Sequence, residues 1–400
     1  MLQRFIRLLK TSPLLVPVLA LIDLTLLAVD TLAVWTSPRS SLSVRTLVIM
    51  RFDVLGDYLL FRNYLSAIRQ SATYRNFRIV FVGNKALKTI AETFDNELVD
   101  TFLWVDIYKL STRPLYRFRV VRQVRQLGAD VVFCPTYSRV LVLDDFMARV
   151  SGASERIGCQ TDYVNIKRWE AALGDQLYTR LIDSGPGFVF ELERDRRIVE
   201  GFLQNPVTIQ FPKLAIERAQ AVDLPNRFVV FSLGAGQDFK IWPPARFAVV
   251  ANFIQKYKPG YQFVVTGVAD DRPLVAEFKA ALTDTSQVQD LTGQLSLPQL
   301  VYVLSKATLL ITNESGAVHL AASVSTPVVS VSQGKALVRW HPYPADFHHS
   351  IHYVYPDFIR QHSHDLMAIA PMFKPESPFA ITDISVERVI EEVDKQWSVR

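Results

Sequence analysis

The chain has 400 residues, 49% hydrophobic and 21% charged, which is enough apolar material for two domain cores and excludes a disordered protein. Its net charge is +5, but lysine and arginine are scattered rather than massed in a stripe, which points to an anionic ligand or an acidic membrane surface and away from nucleic acid. Cys134 and Cys159 sit in neither a CxxC nor a zinc-ligand spacing, as in a reduced, cytoplasmic protein.

Residues 1–43 stand apart. Arg4, Arg7 and Lys10 precede an apolar run from Leu14 to Trp35, long enough to cross a bilayer. Asp23 and Asp30 make a full crossing costly. Seven positions apart, they share one helix face and leave a broad apolar face opposite. No small-residue cleavage site follows, as a signal peptide would require. The expectation is an apolar helical extension lying in a membrane interface, with a true span and a helix packed on protein as the other readings. The basic amino end favours a cytoplasmic start.

From Val44 the pattern becomes alternating strands and helices. Strands are predicted at 44–50, 77–82, 99–105 and 130–134, and helices at 57–70, 115–127, 140–150 and 191–203. A proline-punctuated connection with Pro206, Pro212 and Pro225 leads to a second series. It reads as strands at 228–233, 261–266, 308–312 and 328–332, helices at 243–257, 273–282 and 297–306, and a terminal amphipathic helix at 384–397. Repeated βα units imply parallel sheets covered on both faces. The expected architecture is α/β: residues 1–43 as extension, 44–210 and 211–375 as two Rossmann-like, doubly wound domains facing across a cleft, and 376–400 as a carboxyl-terminal helix.

Three motifs sit at predicted strand ends. Arg51-Phe52-Asp53-Val54-Leu55-Gly56-Asp57 places carboxylates and a glycine where a helix starts, so Asp57 is either a helix cap or a general base facing the cleft. Gly234-Ala235-Gly236 allows close backbone approach to a ligand, and Lys240 adds a point charge, in a loop that is neither a Walker loop nor GxGxxG. Asn313-Glu314-Ser315-Gly316 opens a helix, whose free N–H groups and dipole suit a diphosphate. His319 lies one turn into that helix.

Together these motifs resemble glycosyltransferase family 9, the heptosyltransferase family of lipopolysaccharide core assembly. The similarity runs through RFDVLGDYLL at 51–60, SERIG at 154–158, GAGQDFKIWPPARF at 234–247, VTGVADDR at 265–272, residues 290–331 and RWHPYP at 339–344. The resemblance implies a GT-B fold and an inverting transfer from a nucleotide sugar, typically ADP-heptose, with no metal or other cofactor in the chemistry. It puts the catalytic base on Asp57 and a diphosphate-neutralising cation on Lys240. Donor contacts fall on Gly234, Ala235, Gly236, Trp242, Glu314, Ser315, Gly316 and His319, and acceptor contacts on Asp53 and Arg51. The partners it implies are a nucleotide-sugar donor, a lipid-linked or lipopolysaccharide-core glycan acceptor and the inner-membrane surface.

The chain departs from the family at Glu314-Ser315-Gly316, where the family has Asp-Thr-Gly, so donor choice is expected to differ there. Six of the seven histidines fall in 341–364, read as a surface or acceptor-binding loop, with His362 and His364 the best pair for a metal. Two other functions fit the same motifs: a nucleotide-sugar-binding protein without turnover in envelope polysaccharide assembly, and a nucleotide-sugar epimerase or hydrolase.

Overall fold

The computed structural model describes residues 16–398 apart from 41–42, 186, 209–210, 345, 347–349 and 375. After helix α1 (Val16–Trp35) the first domain runs β1 (Thr46–Arg51), α2 (Leu55–Phe61), α3 (Leu65–Gln70), β2 (Arg78–Asn84), α4 (Lys88–Phe94), β3 (Thr101–Val105), α5 (Ile107–Thr112), α6 (Pro114–Gln126), β4 (Val131–Phe133), α7 (Phe146–Val150), β5 (Glu155–Cys159), α8 (Arg168–Asp175), β6 (Arg180–Ile182) and α9 (Glu191–Leu203). The second runs β7 (Phe228–Ser232), α10 (Pro244–Tyr257), β8 (Gln262–Thr266), α11 (Arg272–Ala280), β9 (Val288–Asp290), α12 (Leu297–Lys306), β10 (Leu309–Asn313), α13 (Gly316–Ser323), β11 (Val328–Val331), β12 (Ile351–Val354), α14 (Asp357–Gln361), α15 (Leu366–Ile369) and α16 (Val386–Ser398).

Each domain holds one six-stranded parallel sheet, ordered β3-β2-β1-β4-β5-β6 and β9-β8-β7-β10-β11-β12. The two orders are the same, so the domains repeat one architecture that the sequence does not show as a repeat. Central strands β1 and β10 are buried at every position, which is why they read as unbroken apolar runs. The chain reverses direction across each sheet between β1 and β4, and between β7 and β10. Ligands of such sheets sit at the carboxyl ends of strands beside that switch. The Asp57 loop follows β1, the Gly234 loop follows β7 and the Glu314 turn follows β10.

The long predicted helix at 57–70 is broken in two by a tight turn at Arg62–Tyr64. Asn63 Nδ2 donates back to the Leu59 and Leu60 carbonyls, both at 2.9 Å, and Arg62 turns inward to Asp95 and to the Lys213 carbonyl of the interdomain connection. The predicted helix at 140–150 begins as a wide turn, where Asp144 Oδ2 accepts from the Val140 N–H at 2.7 Å. Helix α16 belongs to the second domain, burying Val389 and Val393 in its core.

One apolar cluster crosses the domain boundary. Leu59, Phe61, Ile90 and Phe94 on α2 and α4 join Val301, Leu304, Val318 and Leu320 on α12 and α13. The opposite face of the first sheet packs on α1, α6 and α7 through Ala33, Val48, Met50, Val120, Val121 and Met147.

Helix α1 packs on protein through its carboxylate side. Asp30 is 2% exposed, and Arg117 grips it with two bonds, Nε to Oδ1 at 2.7 Å and Nη2 to Oδ2 at 2.6 Å. Arg125 on α6 also donates to the Ser37 carbonyl at 2.5 Å. Among the described residues no helix is long and apolar enough to cross a membrane. Removing one partner of a buried ion pair leaves the other charge uncompensated. Asp30→Ala is therefore expected to lower the unfolding free energy by about 3 kcal/mol or more in a urea titration. A change below about 1 kcal/mol would mean that α1 adds little to the folded domain.

Candidate active site

The three motifs meet between the domains. A Cβ placed on Gly56 would stand 2.9 Å from His319 Cδ2, and one on Gly316 would stand 3.3 Å from Leu55 Cδ2. Glycine at these positions lets the amino ends of α2 and α13 approach each other closely. The Asp57 loop of one domain thus lies against the 313–319 turn of the other.

Lys240 joins them. Its Nζ donates to Glu314 Oε1 at 2.6 Å. The other carboxylate oxygen of Glu314 lies 3.3 Å from His341 Nε2 and accepts from Ser332 Oγ at 3.3 Å. Burial works against the charge on Glu314, but His341 and then Lys240 outweigh it and hold the carboxyl at about 2. A carboxylate lowered from 4.5 contributes stability that is complete above pH 4.5 and is lost as pH falls toward 2. The stability difference between the parent and Glu314→Gln is therefore expected to shrink across that window in acid titrations of urea unfolding. A difference that stays constant would mean that Glu314 is not held as a charged group.

Asn313, which sequence reasoning did not single out as a site residue, fixes this arrangement. Fully buried, it accepts from the Trp242 N–H at 2.9 Å and donates to the Leu233 carbonyl at 2.7 Å, stapling the Gly234 loop to the Glu314 turn. A polar residue closing an apolar strand was the available signal. Trp242 itself is 0% exposed, its indole N–H given to the Ile384 carbonyl at 3.0 Å, so it has no surface for a donor and serves to hold Lys240's loop. Gly236 faces open space, and Gly234 faces the Asp271 carboxylate, where any Cβ would collide. Ser315 caps α13, its Oγ accepting from the Ala317 N–H at 3.3 Å. His319 Nδ1 pairs with Tyr343 Oη at 2.6 Å, and burial lowers its pKa to about 4, so the ring is neutral at pH 7.

Arg51 is likewise reassigned. It is 1% exposed, bonded to Asp53 Oδ2 and Asp195 Oδ1, both at 2.9 Å, so it shapes the loop from beneath rather than touching an acceptor. Asp53 stays partly exposed beside Asp57. Burial first, and then the Asp53 carboxylate, push the Asp57 pKa well above the usual range, with Arg51 and Arg339 pulling the other way. A carboxylate so placed is more basic than an exposed one, which suits it to accept a proton.

A second feature missed in the sequence is the knot at 334–343. Ala336 and Val338 adopt φ of 59° and 72°, strained for a residue with a Cβ and more so for a β-branched one. The knot drives Arg339 across the domain boundary to Glu191 at 2.8 Å, Ser138 at 2.8 Å and Asp162 at 3.3 Å. Beside it opens a cavity of about 470 Å³, lined by Tyr137, Asp162, Tyr163 and Arg194 of the first domain and Lys335 and Trp340 of the second. Of the clustered histidines, His341 is buried against Glu314 and His362 bonds the Phe358 carbonyl at 2.8 Å, while His348 and His349 lie outside the described residues. Among the described residues no group of three His, Cys, Asp or Glu side chains is placed to hold a metal ion.

Residues 192–367 match the model of glycosyltransferase family 9 (heptosyltransferase). Over these residues, a little under half of the chain, it is similar to that family. Lys240, Glu314 and His319 all fall within the matched residues. Lipopolysaccharide heptosyltransferase 3 of Escherichia coli K12 is 34% identical over 125 residues, 31% of this chain and 36% of the relative. The chain matches less than half the length of such curated relatives. In three dimensions the likeness is longer. A glycosyl transferase of family 9 from Veillonella parvula covers 90% of this chain and 99% of its own at a TM-score of 0.66 and 19% identity. The E. coli ADP-heptose lipopolysaccharide heptosyltransferase II covers 89% and 99% at 0.61 and 18%. The matched residues thus make up most of one half of a GT-B fold, with the Asp57 loop on the other half.

Proposed function

We propose that this chain is an inverting glycosyltransferase that moves a heptose or related sugar from a nucleotide-sugar donor, ADP-linked as in the family, to a lipopolysaccharide-core or other envelope glycan at the cytoplasmic face of the inner membrane. The observation that carries the proposal is the convergence of a raised-pKa carboxylate, Asp57, on a turn that pairs a helix amino end with Lys240. Asp57 takes the proton of the acceptor hydroxyl. The acceptor oxygen bonds the anomeric carbon from the face opposite the leaving group, and the bond to the diphosphate oxygen breaks with its electron pair. Lys240 and the N–H groups at the start of α13 stabilise the charge that develops on that oxygen. On this reading the protein supplies the positive charge itself and calls for no cofactor. Asp53 and the aromatic, cationic cavity beside Arg339 would receive the acceptor.

The test is a thermal-shift screen with ADP-, UDP-, GDP- and CDP-sugars, followed by transfer assays with core oligosaccharides. Stabilisation by one nucleotide class and formation of an inverted glycoside are expected. Donor binding without transfer across a broad acceptor set would support a binding protein instead, and release of free sugar without acceptor would support a hydrolase.

A further inference from the structure

The outer side of α1 is an exposed apolar face. Leu21, Leu24, Leu32 and Trp35 are 65%, 61%, 52% and 83% exposed, and their spacing lines them along one side of the helix. The threonines between them leave little polar surface. Thr25, Thr31 and Thr36 turn their hydroxyls back to the carbonyls of Leu21, Leu27 and Leu32 at 2.7, 2.8 and 2.8 Å. The opposite side of α1 is fixed by Asp30 and Arg117, so the helix cannot roll to hide this ridge.

Charge flanks the ridge. Helix α1 lies in the groove between α6 and α7, touching α6 through Asp30 and α7 through Leu27, Thr31 and Val34 beside Phe146 and Arg149. Arg119 and Arg122 on α6, and Arg149 on α7, are exposed. Neither α6 nor α7 contains an acidic residue, and the two acids of α1 are the half-buried Asp23 and the buried Asp30. The sequence ahead of the described residues adds Arg4, Arg7 and Lys10 and no acid. An apolar ridge with a tryptophan, edged by arginines and with no exposed acid on α1, α6 or α7 among the described residues, is complementary to a bilayer surface of anionic lipid.

Direction gives the surface a use. Asp30 meets Arg117 early in α6 and Ser37 meets Arg125 late, so α1 and α6 run parallel. Helix α6 follows β3, so the amino-terminal half of α1 points to the carboxyl ends of the strands, where the cleft opens. There Leu27 packs with Ile166, and the residues just before it, Asp162, Tyr163 and Val164, line the interdomain cavity.

We propose that the ridge Leu21, Leu24, Leu32 and Trp35, with Arg119, Arg122 and Arg149 beside it, docks this chain flat on an anionic bilayer, with the cavity mouth toward the lipid. The proposal goes beyond the transfer reaction and stands whether or not the donor is a heptose nucleotide. The second domain lies on the other face of the first sheet, so docking leaves it in water.

The test uses the full chain with sedimented vesicles of phosphatidylcholine alone or mixed with phosphatidylglycerol. Binding is expected only to the anionic vesicles and to weaken with salt. The fourfold change Leu21→Ser, Leu24→Ser, Leu32→Ser, Trp35→Ser should lower partitioning by roughly a hundredfold, and Arg119→Glu with Arg122→Glu by roughly tenfold or more. Far-UV circular dichroism and the melting midpoint show whether each variant is folded. Turnover on a water-soluble acceptor should be unchanged, which separates this proposal from the one about the reaction. Undiminished vesicle binding by both folded variants would overturn it. So would a parent protein that dimerises through the ridge and ignores vesicles, with the fourfold variant monomeric in gel filtration.

Discussion

Lys240→Ala is expected to reduce kcat/KM for the donor by roughly a hundred- to a thousandfold, the usual loss when one preorganised partner of a developing negative charge is removed. The size follows from the position of the ammonium. It is 16% exposed and held 2.6 Å from Glu314, so on the proposed mechanism it would meet the departing diphosphate already positioned and largely out of water. Glu314 keeps His341 as a partner when Lys240 is gone, so the loop should survive the change and the loss should be one of rate. Lys240→Arg retains the charge but spreads it over a planar fork, and should recover only part of the activity. Nucleotide release measured at saturating acceptor decides the point. Turnover of Lys240→Ala within about threefold of the parent would remove Lys240 from the chemistry.

Asp57→Asn is expected to lower kcat by roughly a hundred- to ten-thousandfold while leaving donor affinity nearly intact, because only the proton acceptor is lost. The pH profile gives an independent readout. Burial and the neighbouring Asp53 raise the Asp57 pKa, and the active form is the unprotonated one. The rate should therefore fall as pH drops through that raised value and level off above it. Asp53→Asn removes one of the raising charges and should move this limb to lower pH. In Asp57→Asn the limb should vanish. An acid limb that persists unchanged there would assign the base to another group.

The parts of this molecule legible in its sequence are those where one physical cause dominates. Strands β1, β7 and β10 are buried on both faces and declare themselves as apolar runs. The motifs that follow them are legible because each polar cluster ends such a run. Strands β6 and β9 have three residues each, at or near a sheet edge with charged or polar side chains, and no period of two can show in so short a span. Depth was the other hidden quantity. Arg51 and Trp242 are residue types that often touch ligands, and only the packing shows that the first is ion-paired beneath its loop and the second fills a core. Arg339 was hidden differently, since its role depends on a backbone bend through Ala336 and Val338 that composition does not favour. Helix α1 was legible as a helical extension with its two acids on one face. Which face the protein would claim depended on Arg117, far along the chain.

The apolar cluster shared by α2, α4, α12 and α13 limits how this molecule can move. Two domains joined by a wet interface swing freely about their linker. Here a wide hinge opening would pull Leu59 and Phe61 away from Val318 and Leu320 and expose them to water. Motion that keeps this contact is a short slide of packed helices over one another, a shear. Substrate access is then set by side chains and loops at the cavity mouth, with the two halves breathing as a single mechanical body.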